Sequence, residues 1–95
     1  MAIKVIIERR LKKGKEGELA QLLRQLRYRA MVAPGYISGE TLRSHEDPDL
    51  YMVISTWKSL EDWRRWEENP ERNQIQQKIN ELLEEPASFR IFHFV

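Results

Sequence analysis

The strand-forming stretches of this chain carry apolar side chains on both faces, and no other feature constrains the fold as strongly. Side chains of a strand alternate between its two faces. In the run from Leu50 to Trp57, Leu50, Met52 and Ile54 fall on one face and Tyr51, Val53 and Trp57 on the other. Near the C-terminal end Phe89, Ile91 and Val95 oppose Phe92 and Phe94, and near the N-terminal end Ile3, Val5 and Ile7 oppose Ile6. A sheet covered by helices on one side reads as apolar–polar alternation. This one needs cover on both.

The number of helices decides what the cover is. Ile3 to Arg10 reads as the first strand, rich in β-branched residues. Gly14 and Gly17 punctuate the turn into a helix, along which Leu19, Leu22, Leu23, Leu26 and Ala30 recur at helical spacing. Pro34-Gly35 stops it. Tyr36 to Arg43 and Leu50 to Trp57 form a hairpin across the polar turn from His45 to Asp49. Ser59 caps a second helix, on which Glu61 is placed to pair with Arg65. Asn69-Pro70 marks a break and a fresh start, followed by the stripe Ile75, Ile79, Leu82 and Leu83. Pro86 ends that helix, and Ser88 to Val95 is the last strand.

The order is β-α-β-β-α-β within one domain spanning residues 1–95. It predicts an α+β, ferredoxin-like fold: a four-stranded antiparallel sheet with the helices on one face. The other face is left to a second copy, packed sheet to sheet as a twofold homodimer. A monomer would expose a larger apolar patch than soluble monomers carry.

Composition removes several classes of function. Sixteen basic residues against fifteen acidic give a formal charge of +1, without the electrostatic footprint of a nucleic-acid partner. The basic run Arg9-Arg10-Leu11-Lys12-Lys13 and the cluster Arg24, Arg27 and Arg29 read as a solvated strand end and the wet face of a helix. The absence of cysteine excludes disulfides, thiolate metal sites and a Cys nucleophile. No signal segment and no membrane-length apolar run is read, so the expected place of action is the cytoplasm.

All the tryptophans fall within ten positions, around one strand-to-helix corner: Trp57, the cap Ser59, then Trp63 and Trp66. With the first strand running into Lys12-Lys13-Gly14 and the Pro34-Gly35-Tyr36 turn, this corner resembles the antibiotic biosynthesis monooxygenase (ABM) superfamily over essentially the whole chain. The resemblance implies a dimeric α+β barrel with a pocket in each subunit between helices and sheet. Its members include cofactor-independent monooxygenases of quinols or anthrones, haem-degrading enzymes, and proteins without an assigned activity.

The haem-degrading branch combines a first-strand Asn, a second-helix Trp and a His about ten residues later. Here Trp66 matches, but Ile7 stands at the Asn position and Gln76 in place of the His, which disfavours haem degradation. The monooxygenase reading asks less. A deprotonated phenol passes an electron to O₂ itself, so the protein binds the ring, promotes deprotonation and excludes water, without cofactor or metal. Candidates for the pocket lining are Trp66, Ile7, Tyr51, Arg90, Tyr28 and Tyr36. His93 is the candidate general base, with a packed, hydrogen-bonded role as its alternative. Tyr51 or Arg90 would orient a substrate oxygen. His45 lies in an acidic turn that hairpin chemistry explains without a metal.

Two functions follow as expectations. The first is a small cofactor-independent monooxygenase acting on a reduced aromatic of quinol or anthrone type with O₂. The alternative is a non-catalytic dimeric domain of the same kind that binds a small apolar ligand, a small aromatic molecule among them, or serves as an accessory domain, without turnover.

Overall fold

The computed structural model describes residues 1–95. The strands are β1 (Ile3–Arg10), β2 (Tyr36–Arg43), β3 (Leu50–Trp57) and β4 (Ser88–His93). The helices are α1 (Glu16–Met31), α2 (Leu60–Glu67) and α3 (Pro70–Asn80). The sheet is antiparallel throughout, in the order β2-β3-β1-β4, with the helices on one face. The break near Asn69 separates α2 from α3. β4 stops at His93, two residues short of the sequence expectation.

Local chemistry accounts for the helix ends. Ser59 Oγ accepts a hydrogen bond from the Asp62 amide at 3.1 Å and donates one to Asp62 Oδ2 at 3.0 Å. Asp62 thereby takes the place expected of Glu61, and Arg65 pairs with it at 3.2 Å. Asn69 Oδ1 accepts from the amides of Glu71 and Arg72, and Pro70 fills the first helical turn. α1 has no side-chain cap; Glu16 and Glu18 sit in its first turn and Arg29 in its last, as the helix dipole favours. Gly17 lies inside this helix rather than before it.

Register fixes which side chains face the helices. Ile3, Val5, Ile7 and Arg9 of β1 stand opposite Trp57, Ser55, Val53 and Tyr51 of β3, and Ile3, Val5 and Ile7 stand opposite His93, Ile91 and Phe89 of β4. Strictly alternating burial along β1 identifies this as the covered face. Two apolar clusters pack on it. One joins Ile3, Val5, Ile7 and Ala30 to Trp57, Trp63 and Trp66. The other joins Leu11 and Leu19 to Ile75, Ile79, Leu82 and Leu83, and partly buried Leu26 and Ala87 touch both. The opposite face carries Ile6, Met52, Ile54, Leu42 and Phe92 with no helix over it; Leu42 and Phe92 are 44% and 46% exposed.

Gly35 locks the corner between α1 and β2. Its φ of +85° lies in the left-handed region, and a Cβ there would come within 2.3 Å of the Asp62 side chain. Its carbonyl accepts from the Lys58 amide at 2.8 Å. The Pro34-Gly35-Tyr36 turn is thus tied directly to the cap of α2.

Candidate functional site

Between the covered face of the sheet and helices α1 and α2 lies a predominantly apolar cleft. Its floor is Ile7 of β1 with Val53, Ser55 and Trp57 of β3. Leu23, Leu26, Arg27 and Ala30 of α1 form one wall, Trp63 and Trp66 of α2 another, and Tyr36 and Thr41 line the β2 side. Trp57 is the hub of the aromatic group. Its ring stacks on Trp66 (centroids 6.2 Å apart, planes at 25°) and meets Trp63 and Tyr36 edge-on at 5.7 and 5.4 Å. Trp57 Nε1 donates to Ser55 Oγ at 3.1 Å, so its polar atom is satisfied inside the core.

The free volume of the cleft is about 60 Å³, less than the cavity of about 150 Å³ that accepts a benzene ring. A second hollow of about 240 Å³ adjoins it, lined by Glu16, Ala20, Arg24 and Tyr51. Leu23, Arg27 and Thr41 line both spaces. Arg27 Nη2 donates to Thr41 Oγ1 at 2.9 Å across this border, a solvent-exposed bond between α1 and β2. A ring larger than the free volume of the cleft would extend across this border.

Arg9 is the charged group of the cleft that the sequence reading misplaced. It is 1% exposed rather than solvated, because it shares the strand parity of Ile3, Val5 and Ile7. Its Nη2 donates to Gln76 Oε1 at 2.9 Å, while Nε is buried without a partner. Gln76 Nε2 passes the chain on to Asn80 Oδ1 at 2.8 Å. No carboxylate pairs with Arg9. Burial, reinforced by the neighbouring Arg72 guanidinium, pulls its pKa below the ordinary arginine range to about 10, so it stays charged at neutral pH. Arg72 is buried as well and its pKa is lowered by burial, but its charge faces the rings of Trp63 and Phe89 at 5.8 and 5.5 Å.

The sequence candidates divide. Trp66, Ile7 and Tyr36 meet in the cleft, together with Trp57 and Trp63. Tyr51 lines the adjoining hollow, with Arg43 over its ring at 5.5 Å. Arg90 lies on the uncovered face, 3.6 Å from Glu8 and near Phe92, because it alternates with Phe89 and Ile91 along β4. Tyr28 is 76% exposed on the outer side of α1. His93 is exposed on the edge strand opposite Ile3 and does not line the cleft. His45 is exposed too. In its turn Asp47 is bound by Arg10 and Asp49 lies 3.3 Å from Lys13, so these carboxylates hold the hairpin to the end of β1. No group of three His, Cys, Asp or Glu side chains is arranged to hold a metal ion.

An α+β sheet-and-helix fold with an aromatic cleft beneath the helices defines the class to which this protein belongs. The family model described as "Antibiotic biosynthesis monooxygenase" matches residues 2–78, and the chain belongs to that family. Among solved structures, a conserved protein from Methanosarcina mazei Go1 superposes with a TM-score of 0.95 at 19% identity, covering 100% of this chain and 94% of that one. SnoaB, a cofactor-independent oxygenase from Streptomyces nogalater, superposes with a TM-score of 0.89 at 15% identity, covering 99% and 93%. At these identities the likeness is one of fold. Protein SchA of Streptomyces halstedii is 20% identical over 88 residues, which are 93% of this chain and 23% of SchA. The chain therefore spans about a quarter of the length of that curated relative.

Proposed function

We propose that the protein is a cofactor-independent monooxygenase that oxidises a small reduced aromatic, of quinol or anthrone type, in the cleft beneath Trp66. The observation that carries this reading is the convergence of Trp57, Trp63, Trp66 and Tyr36 around one largely apolar space between helices and sheet. Together with the adjoining hollow of about 240 Å³, with which it shares Leu23, Arg27 and Thr41, such an apolar lining suits a planar ring held away from water. The likeness to the cofactor-independent oxygenase SnoaB supports the same reading.

The chemistry needs no outside electron source. An anthrone-type CH₂ next to a phenol loses a proton, and the resulting carbanion–enolate gives one electron to O₂. Radical recombination forms the carbon–oxygen bond of a hydroperoxide, which loses water to leave C=O. One O₂ is consumed, one oxygen stays on the ring, the other leaves as water, and the substrate supplies all four electrons. The protein supplies ring binding, desolvation and stabilisation of the anion.

The second reading is a binding module without turnover. It is favoured by the absence of His45 and His93 from the cleft lining. Oxygen uptake with hydroquinones and anthrones, in metal-free and flavin-free buffer, separates the two. Uptake supports the oxygenase. Quenching of the tryptophans by the same compounds without uptake, across the panel, replaces it with the binding module.

The working unit in this reading is a homodimer joined through the uncovered sheet face. Ile6, Met52, Ile54, Leu42 and Phe92 on that face support it. No helix is long and apolar enough to cross a membrane. A chain without cysteine suits a reducing compartment, which supports action in the cytoplasm.

A further inference from the structure

Arg9 is an unusual wall for an apolar cleft. A buried guanidinium ordinarily has a carboxylate partner, because an unpaired charge in a low-dielectric interior carries a large desolvation penalty. Arg9 has a neutral amide instead, and its Nε has nothing at all. Arg72, the other buried guanidinium, is matched by two aromatic faces and by hydrogen bonds to Asn73 Oδ1 and the Glu67 carbonyl. Arg72 Nε is likewise unpartnered, but Arg9 has a single hydrogen bond and no aromatic face, and it is among the residues that line the cleft.

We propose that the cleft takes its ligand as an aromatic oxyanion, a phenolate or enolate, with the charged oxygen on the Arg9 guanidinium. The proposal rests on the oxygenase reading of the cleft and adds to it the charge state of the substrate and the residue that sets it. Five donors in a planar fork suit an oxygen that carries delocalised ring charge. Because the guanidinium is charged throughout the neutral range, it acts as a fixed positive potential rather than as a proton acceptor. It lowers the pKa of a bound phenol by preferring the anion, which offsets the lack of an imidazole in the lining. The proton lost, from the O–H of a phenol or from the CH₂ (equivalently the enol O–H) of an anthrone, goes to solvent, and the bound anion is the species that hands an electron to O₂.

The neighbouring groups sharpen the assignment. Arg72 on α3 acts on Arg9 and Tyr51 on β3 stands opposite it, while Arg27 on α1 and Tyr36 and Glu40 on β2 are the other charged and titratable residues that line the cleft. Glu40 pairs with Ile54 and so belongs to the uncovered-face parity of its strand. Arg27 is exposed and engaged with Thr41. Arg9 is the cation at the interior wall.

The test uses the intact chain and 4-nitrophenol, which titrates near neutrality and is yellow only as its anion. Binding to the wild type should lower the apparent pKa of the probe by one unit or more, which corresponds to a preference of about tenfold or more for the phenolate. Arg9→Met should bind the neutral phenol without that shift, while Arg9→Lys should keep part of it and Arg64→Ala, at an exposed position of α2 outside the cleft lining, all of it. The near-ultraviolet circular dichroism of Arg9→Met, whose fold is expected to persist, establishes that the cleft is intact. A wild type that binds the neutral form, or does not bind the probe, overturns the proposal. So does an Arg9→Met variant that keeps the shift. Oxygen uptake distinguishes this failure from failure of the oxygenase reading. Uptake unchanged in rate and pH dependence in Arg9→Met removes Arg9 and leaves the oxygenase. Anion binding without uptake from any substrate does the reverse.

Discussion

Arg9 Nη2 and Gln76 Oε1 lie 2.9 Å apart, and this bond between β1 and α3 is the single hydrogen bond of a fully buried guanidinium. Replacing it with an apolar chain of similar length should therefore stabilise the ligand-free protein. Arg9→Met removes an uncompensated charge at the expense of one acceptor contact on Gln76, for a net gain of about 1 kcal/mol. In a domain of this size that raises Tm by about 4–8 °C. The sign extends to pH. Burial holds the pKa of Arg9 at about 10, below its ordinary range, so its penalty holds while it is charged and is relieved as pH rises through 10. Thermal melts of the two proteins check this, and an Arg9→Met variant that melts lower contradicts it.

The bond between Arg27 and Thr41 spans the border between a space of about 60 Å³ and one of about 240 Å³. Such a bond contributes about 0.5–1.5 kcal/mol. Arg27→Ala or Thr41→Val should accelerate association of a small phenol by about two- to tenfold, with little change in stability. Stopped-flow quenching of the tryptophans measures it, and an unchanged association rate shows that the ligand enters elsewhere.

Gly35 has no tolerance for a side chain. Alanine there meets both the positive φ and the Asp62 side chain that completes the Ser59 cap. Gly35→Ala should cost about 2 kcal/mol or more. Gly17, inside α1 with open space around it, should accept alanine with a gain of up to about 1 kcal/mol. Urea midpoints of the two variants should move in opposite directions.

Asp47 supplies a pH dependence at the acid end. Its hydrogen bond from Arg10 holds the carboxyl below its usual range. The stabilisation is present above the ordinary carboxylate pKa and is lost as pH falls through the lowered one. Both side chains are partly exposed, so the effect is small. The urea midpoint should fall on acidification below about pH 4, and Asp47→Asn should be less sensitive over that window. Equal sensitivity would assign the acid response to other carboxylates.

The uncovered sheet face makes a prediction about assembly. Native mass spectrometry should give twice the 11.4 kDa chain mass, and Ile54→Glu, at the centre of that face, should give the monomer. A wild-type monomer removes the sheet-to-sheet dimer from the account.

Much of this was legible in the residues. The strands, the caps Ser59 and Asn69, and the two-faced pattern of the sheet follow from local chemistry and period-two alternation. The aromatic corner was visible because Trp57, Trp63 and Trp66 lie close in sequence. Arg9 was not read as interior, although its parity with Ile3, Val5 and Ile7 carried the signal. Charge type outweighed strand periodicity in that reading. Tyr28 lies two positions from both Leu26 and Ala30, off the apolar stripe of α1, so its exposure follows helical spacing, whereas the placement of His93 depends on how far the helices reach over the sheet. Tyr51 fell in the next hollow because Arg27 and Thr41, on different elements, divide the space.

In the oxygenase reading a reduced aromatic meets O₂ in the cleft under Trp66. The rate of oxygen consumption with 1,8-dihydroxyanthrone, compared between the wild type and Val53→Phe, tests it most directly. Val53 lines the cleft floor, and a phenylalanine there occupies the free space while keeping the strand apolar. The account predicts protein-dependent uptake of one O₂ per anthrone by the wild type and at least a tenfold loss in a folded Val53→Phe variant. Equal uptake by both proteins, or none by the wild type, would contradict it.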